Sequence, residues 1–242
     1  MRFADLHIHA LYGVDDGPKN PEEMLRMVDL AYRSGTRILC LTPHYHPGYF
    51  GENREKSEAA FSRLRALAEE RYPDLELYLG NELRYDKASL SWLREGKCRT
   101  LNNSRYVLVD FTARESLQVI EQGLQRLLSS GYIPILAHVE RYRSLWGKTM
   151  VLHSLKCKGI LLQMDSGAPL GEYGIGEKLW ARKLLKQRWI DFIASDGHDT
   201  RQYLPALAQV YEFLSKKYGT AYAEQLCWKK AARLIRTTEG KG

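Results

Sequence analysis

Near the start of the chain stands Asp5-Leu6-His7-Ile8-His9. It lies inside an alternating run from Phe3 to His9, and alternation is the period of a strand. Positions two apart on a strand point to one face. Asp5, His7 and His9 therefore project together, with Leu6 and Ile8 facing the other way. Two imidazoles side by side can chelate one metal ion, and a carboxylate deeper on that face can hold an imidazole in the right tautomer. A lone His would suit a polar strand beside a wet cleft; the pair with an Asp on the same face favours metal.

Further candidates recur at the ends of later apolar runs. Asp16 follows the first strand, in a Gly- and Asp-rich loop over 11–18. His44 follows the second, Glu82 the third, and Asp110 lies near the end of the fourth. His138 ends the fifth, and Asp196 with His198 follows the seventh. Five of the seven histidines thus fall at strand ends, where chance would scatter them over solvent-facing helices and loops. The set is imidazole and carboxylate without thiolate, which suits manganese, iron or zinc and argues against a structural zinc site. These nine candidates are too many for one ion, and two or three ions bridged by a carboxylate would accommodate them. Closely spaced ions make a hydroxide nucleophile near neutral pH and clamp phosphoryl oxygens.

The elements that must position these residues alternate. Helices are predicted over 20–34, 53–71, 89–94, 115–130, 150–158, 176–188, 203–218 and 221–236. Between them lie apolar strands over 37–41, 75–79, 105–111, 133–137, 160–164 and 189–194, after the first one. Asn20 and Pro21 mark a helix start, and Gly35 its stop. Seven strands alternating with helices, without repeat or linker, imply parallel strands with helices outside. The expectation is an α/β fold, a single-domain (β/α) barrel of seven units over 1–242, rather than an open doubly wound sheet. In such a barrel every C-terminal strand end opens onto one mouth, so candidates scattered in sequence converge.

Composition bounds the rest. With 44% hydrophobic, 27% charged and 11% aromatic residues, the chain reads as a soluble globular protein. The net charge of +7 is spread along helices without a block of five or six basic residues. Most of it reads as solvated faces and a minority as an anion site, with no nucleic-acid partner expected. No apolar run approaches a membrane span, and the chain enters a strand at once rather than a signal peptide. Cys40, Cys98, Cys157 and Cys227 are far apart with no CxxC, so neither a thiol zinc site nor a redox pair is indicated. Reduced thiols in a bacterial-type cytoplasm are the simplest reading.

Asp-x-His-x-His, Thr42-Pro43-His44, a Glu after the third strand and the late Ser195-Asp196-Gly197-His198 resemble the PHP (polymerase and histidinol phosphatase) metal-dependent hydrolases. GVDDGP over 13–18, Gly80-Asn81-Glu82, LNNSRY over 101–106, AHVERY over 137–142 and ASDGH over 194–198 look like the bacterial capsule-regulating tyrosine phosphatases of the CpsB/YwqE type. The likeness runs through the whole chain in order. It implies a distorted seven-unit PHP barrel, a trinuclear manganese-preferring centre and phosphotyrosine hydrolysis. By that resemblance His7, His9, Glu82 and Asp196 would hold one ion. Glu82, as bridge, would hold a second with Asp110 and His138, and Asp16, His44 and His198 a third. Arg141 would bind the phosphate as a planar fork. The implied partner is a phosphotyrosine protein, the C-terminal tail of a bacterial tyrosine kinase that controls capsular or exopolysaccharide synthesis. Two positions depart from the pattern: Asp110 stands where relatives carry Glu, and Arg201 lies closer to the last His than their second phosphate-binding Arg.

Several other residues carry competing readings. Asp15 is expected to cap its own loop, His46 to sit on a rim loop beside Pro47, and His153 to face solvent from mid-helix. Cys227 and Arg233 have the Cys-x5-Arg spacing of thiol-dependent phosphatases, but the intervening residues form a helix without glycine, and no phosphate-wrapping loop is possible there. Tyr12, Tyr45, Tyr49, Phe50 and Tyr142 could supply aromatic faces for a phenol ring at the mouth, or fill gaps between loops. The competing functions are a PHP phosphoesterase for a small molecule such as histidinol phosphate, and a barrel that binds without catalysis.

Overall fold

The computed structural model describes residues 1–201 and 204–237. The chain begins with β1 (Phe3–Ile8), α1 (Pro21–Arg33), β2 (Thr36–Leu41), β3 (His44–Tyr45), α2 (Pro47–Phe50), α3 (Arg54–Arg71), β4 (Glu76–Leu79), β5 (Glu82–Arg84) and α4 (Ser89–Arg94). It continues with β6 (Tyr106–Asp110), α5 (Leu117–Ser129), β7 (Ile133–Leu136), α6 (Thr149–Cys157), β8 (Leu161–Asp165), α7 (Ile175–Lys186) and β9 (Phe192–Ala194). It closes with α8 (Ala208–Tyr218), α9 (Thr220–Glu224), a π turn (Gln225–Lys229) and α10 (Lys230–Arg236). The helix expected from Tyr203 has its start outside the described residues.

Every strand pair is parallel. One sheet runs β1-β2-β4 and the other β3-β5-β6-β7-β8-β9. The seven strands expected from the sequence therefore appear as nine segments among the described residues, because two runs are broken. Between β2 and β3 stands Pro43, which has no N–H for a ladder, and between β4 and β5 stand Gly80 and Asn81. Hydrogen bonds from Gly80 N to Leu41 O and from Glu82 N to Pro43 O carry the pairing past both breaks. The far edges meet as well: Ile8 bridges Gly197, His9 N donates to Gly197 O and Asp196 N to His7 O. The result is a curled parallel sheet with its C-terminal strand ends gathered together.

Helices cover the outside. Asn20 Oδ1 accepts from Glu23 N at 2.9 Å, capping α1 as the sequence indicates. Met24, Met27, Val28 and Ala31 then fall on one stripe and pack with Ile8, Leu39 and Leu41. Ala4, Leu6, Ile38, Leu108, Ile135 and Phe192 from five strands meet Ala231 and Ile235 of α10. Asn102, just before β6, donates to Ile235 O, and Arg236 pairs with Glu76 at the start of β4. The C-terminal helix thus lies across the N-terminal strand ends, opposite the mouth.

Candidate metal centre

At the mouth, β1 delivers His7 and His9 so that their Nε2 atoms stand 3.1 Å apart. That is a spacing for two ligands of one ion rather than for two repelling dipoles. Asp196, just past β9, brings Oδ1 to 3.2 Å from His7 Nε2 and 3.4 Å from His9 Nε2. Glu82, the first residue of β5, reaches His7 Nε2 through Oε1 at 3.4 Å and His9 Nε2 through Oε2 at 3.4 Å. The same carboxylate meets His138 Nε2 at 3.0 Å and His44 Nδ1 at 2.6 Å. Asp16 Oδ1 stands 3.5 Å from His44 Nε2 and 3.4 Å from His198 Nε2. Asp110 Oδ1 lies 3.5 Å from His138 Nε2.

Donor atoms within 4.8 Å of one another form three groups: His7, His9 and Glu82; Glu82, Asp110 and His138; and His9, Asp16, His44 and His198. Eight of the nine candidates fall in these groups, Glu82 and His9 each in two, and the ninth, Asp196, adjoins them through His7 and His9. Two of the nine are held in the left-handed backbone region that side chains seldom enter, His138 at φ 33° and Asp196 at φ 52°. Such strain persists where the surroundings fix it, and here both residues turn out of strand ends into the cluster. Gly17 has a role of the same kind. A Cβ there would come within 2.2 Å of His9 O, so only glycine lets the Asp15-Asp16 loop close on β1.

A second layer orients the first. Gln163 on β8 donates through Nε2 to Asp165 Oδ1 at 2.9 Å, which turns its Oε1 toward His138 N at 2.8 Å and His7 Nδ1 at 3.2 Å. An acceptor at Nδ1 puts the proton there and leaves the Nε2 lone pair facing the cluster. Asp15 does the same for His9, accepting from Nδ1 at 2.8 Å. It also accepts from Gly17 N at 3.0 Å, so it caps its loop as expected and orients a candidate ligand besides. The tautomer-holding role expected of Asp5 is corrected here. Asp5 Oδ1 accepts from the backbone N–H groups of His7 (3.2 Å) and Ser195 (3.1 Å), tying β1 to the end of β9 rather than touching an imidazole.

The charges in this buried space call for a cation. Burial depresses His7, yet Glu82 and Asp196 outweigh it and lift its pKa to about 9. His9 is likewise lifted, by Asp15 above all, against its own burial. Burial opposes ionisation of Glu82, but His44 and His7 hold it well below the usual carboxylate range. Asp196 is also held low, with His7 the main source. Several buried atoms, His44 Nδ1, His138 Nδ1 and Glu82 Oε2, make no hydrogen bond although charged partners surround them. Glu82 Oε2 and His44 Nδ1 stand close without hydrogen-bond geometry, as two lone pairs aimed at a common point would. Imidazole and carboxylate donors converging this way fit one or more hard-to-borderline divalent ions.

Beside the cluster opens a cleft of about 1220 Å³. Arg141 lines it, with Nη2 at 2.7 Å from Asp196 Oδ2 and 2.5 Å from Asp165 Oδ2, and with Tyr173 beneath the guanidinium at 5.0 Å. Arg201 lies exposed at the rim, where its N–H bonds Asp199 Oδ1 at 2.6 Å. The aromatics expected at the mouth mostly fill the core. Tyr45 is wholly buried, Tyr12 packs with the α1 cluster, and Phe50 stacks on His44. Tyr49 is exposed beside His46, outside the cleft. Tyr142 does border the cleft, but its OH is spent on Asp110 Oδ1 at 3.1 Å. The aromatic walls there are Phe111, Tyr142 and Tyr173. His46 caps α2 through Nδ1, and His153 lies on α6 beside Cys157. Cys227 is buried in the π turn against β1 and β9, and burial pushes its thiol up to about 12. Sequence reasoning missed Gln163, Asp165, Arg84 and Tyr173. The signal available for Asp165 was its place as a carboxylate at the end of the sixth strand.

The chain is 34% identical over 236 residues to the tyrosine-protein phosphatase CpsB of Streptococcus pneumoniae, a match covering 96% of this chain and 97% of that one. It is 30% identical over 217 residues to the tyrosine-protein phosphatase YwqE of Bacillus subtilis, covering 89% and 85%. In three dimensions it is similar to a solved structure from the pair YwqE of Bacillus subtilis and CpsB of Streptococcus pneumoniae, described as unique metal-dependent tyrosine phosphatases. The TM-score is 0.87 at 28% identity, covering 98% and 94%. A histidinol phosphate phosphatase of Lactococcus lactis shares the fold at a TM-score of 0.56 and 17% identity, covering 90% and 95%. The family model for capsular polysaccharide synthesis, CpsB/CapC, matches residues 3–236, and the chain belongs to that family.

Proposed function

We propose that the chain is a metal-dependent protein-tyrosine phosphatase of capsular or exopolysaccharide synthesis, acting as one domain over 1–242. The observation that carries this reading is Glu82, one buried carboxylate within reach of His7, His9, His44 and His138 at once. The proposed ligand sets are His7, His9, Glu82 and Asp196; Glu82, Asp110 and His138; and Asp16, His44 and His198. The relatives named tyrosine-protein phosphatases support the substrate class. Manganese is the proposed ion, in two or three sites, with iron or zinc able to substitute. When bound, such ions lower the pKa of water and draw charge from phosphoryl oxygens.

The chain's own residues do the rest. Gln163 and Asp15 hold the His7 and His9 tautomers, so neither ring must reorient during turnover. Asp165 and Asp196 fix the Arg141 guanidinium, whose remaining donors suit two phosphate oxygens. Arg201 at the rim is the proposed second contact to substrate. A cleft of about 1220 Å³ is wider than an ordinary small-molecule pocket and suits a peptide laid across the mouth. The proposed partner is the C-terminal tail of a bacterial tyrosine kinase, met in the cytoplasm. The test is kcat/KM on matched phosphotyrosine and phosphoserine peptides, with histidinol phosphate beside them, in manganese. Preference for the phosphotyrosine peptide is expected. Equal rates on both peptides, or a much higher value for histidinol phosphate, would replace the assignment with a general or small-molecule phosphoesterase.

A further inference from the structure

Two guanidinium groups touch candidate ligands among the described residues. Arg141 is one, through Asp196. The other is Arg84, whose Nε sits against Asp110 Oδ2. Strand β5 places it there: Arg84 follows Glu82 by two residues, hence on the same face, and its register partner on β6 is Asp110.

The two arginines differ in how much of their donor capacity is used. Arg141 is pinned between two carboxylates and stacked over Tyr173. Arg84 touches Asp110 without hydrogen-bond geometry at Nε, and no other acceptor among the described residues meets its guanidinium. A guanidinium has five N–H donors. Arg84 lines the same cleft, with 29% of its side chain exposed. Asp110 in turn has Oδ1 turned toward Tyr142 OH and His138, leaving Oδ2 to Arg84. The cation therefore flanks the group of Glu82, Asp110 and His138, as Arg141 flanks the group containing His7 and His9. A phosphoryl group entering between them presents three oxygens, more than one fork can hold.

We propose that Arg84 is a second phosphate-contacting residue, gripping the substrate's phosphoryl oxygens from the Asp110 side of the cleft while Arg141 grips from the Asp196 side. The inference rests on the phosphoryl-transfer reading above. It makes the deep anion site a two-armed clamp, with Arg201 left to the flanking peptide at the rim.

The test uses the metal-loaded full chain and inorganic phosphate as probe, with binding measured by calorimetry and metal content by elemental analysis. Arg84→Met should weaken phosphate binding by about ten- to a hundredfold, the range for a lost charge-assisted contact. KM for a phosphotyrosine peptide should rise in step and metal content should stay at the wild-type value. Arg84→Lys keeps the charge beside Asp110 and should recover part of the loss, which also keeps the idea testable if Arg84→Met does not fold. Unchanged phosphate affinity in both variants would overturn the proposal. So would a loss of affinity that follows metal content and returns with excess metal, because Arg84 would then serve Asp110 alone. Wild-type turnover of phosphotyrosine tests the proposed function separately: a wild type active on another phosphate ester leaves the Arg84 comparison intact.

Discussion

Two aspartates at opposite ends of β9 show what separates a structural charge from a functional one. Asp191, just before the strand, is buried against Lys156 of α6 and Lys230 of α10, and its Oδ2 accepts from Leu162 N at 2.9 Å. One carboxylate faces two ammonium groups and a backbone donor, and both of its oxygens are satisfied. Asp196, just after the strand, sits among His7, His9 and Glu82 in the left-handed backbone region. Around it, buried donors and acceptors face one another unpaired. The first cluster is complete as protein and ties two helices to the sheet. The second is complete only with a cation, and its strain and orphaned atoms are the mark of that.

Exchanging the two roles by mutation is the sharpest way to break this contrast. Asp196→Ala should cut phosphatase kcat/KM by about a thousandfold or more, some 4 kcal/mol of transition-state stabilisation. Its unfolding midpoint in chelator should fall by less than that of Asp191→Ala; a larger loss of stability there would make Asp196 a structural charge as well. Asp191→Ala should do the reverse. It strands two lysines that remain partly solvated, so a loss of about 2–3 kcal/mol in urea unfolding is expected, below the cost of breaking a fully buried pair. Its kcat/KM per folded molecule should match wild type. Gln163→Leu probes the layer between these extremes and should weaken metal binding by about ten- to a hundredfold with the fold intact. Metal titration followed by calorimetry reads this, and wild-type affinity would show that the His7 tautomer needs no partner.

The smallest effect is a drift with pH. His7 has a folded pKa raised to about 9 against an ordinary value of 6.5, with Glu82 and Asp196 overcoming the burial that would lower it. The folded chain then binds more protons than the unfolded chain across that window. The stabilisation is fully present below about pH 6.5 and is lost as pH rises through 9. Chelator-treated protein should therefore lose stability between those values, and metal-loaded protein should not, because the ion takes the proton's place. Equal pH slopes with and without metal would remove the cation from the account of the mouth.

The sequence carried the ligands better than their supports. His7, His9, Glu82, His138 and Asp196 are legible because charged or chelating groups at the ends of apolar strands have no packing reason to be there. Gln163 is not, since a neutral amide in a buried strand carries no chemical tag until its neighbours are known. Asp15 and Asp16 are adjacent acids in one loop, and only the fold decides that Asp15 turns to His9 Nδ1 while Asp16 faces His44 and His198. Strand count fell short for a related reason. The breaks at Pro43 and at Gly80-Asn81 preserve pairing through a few cross-strand bonds that leave little trace in hydrophobic periodicity. The sequence could not assign Tyr45 to core or Tyr142 to cleft, because aromatic residues beside strand ends serve both, and burial depends on contacts far away in sequence.

The hydrogen bonds from Asp196 N to His7 O and from His9 N to Gly197 O join the first strand to the last. That closure sets a timetable for the newborn protein. His7 and His9 leave the ribosome nearly 190 residues ahead of Asp196. At translation rates of about 5–20 residues per second, roughly 10–40 s pass in which the early histidines exist without their last partner. Local helices and the β1-β2 pair can form in that interval, whereas the mouth cannot, because the pairing that shapes it joins the first strand to the last. The growing chain thus cannot complete its nine-residue cluster until β9 has arrived.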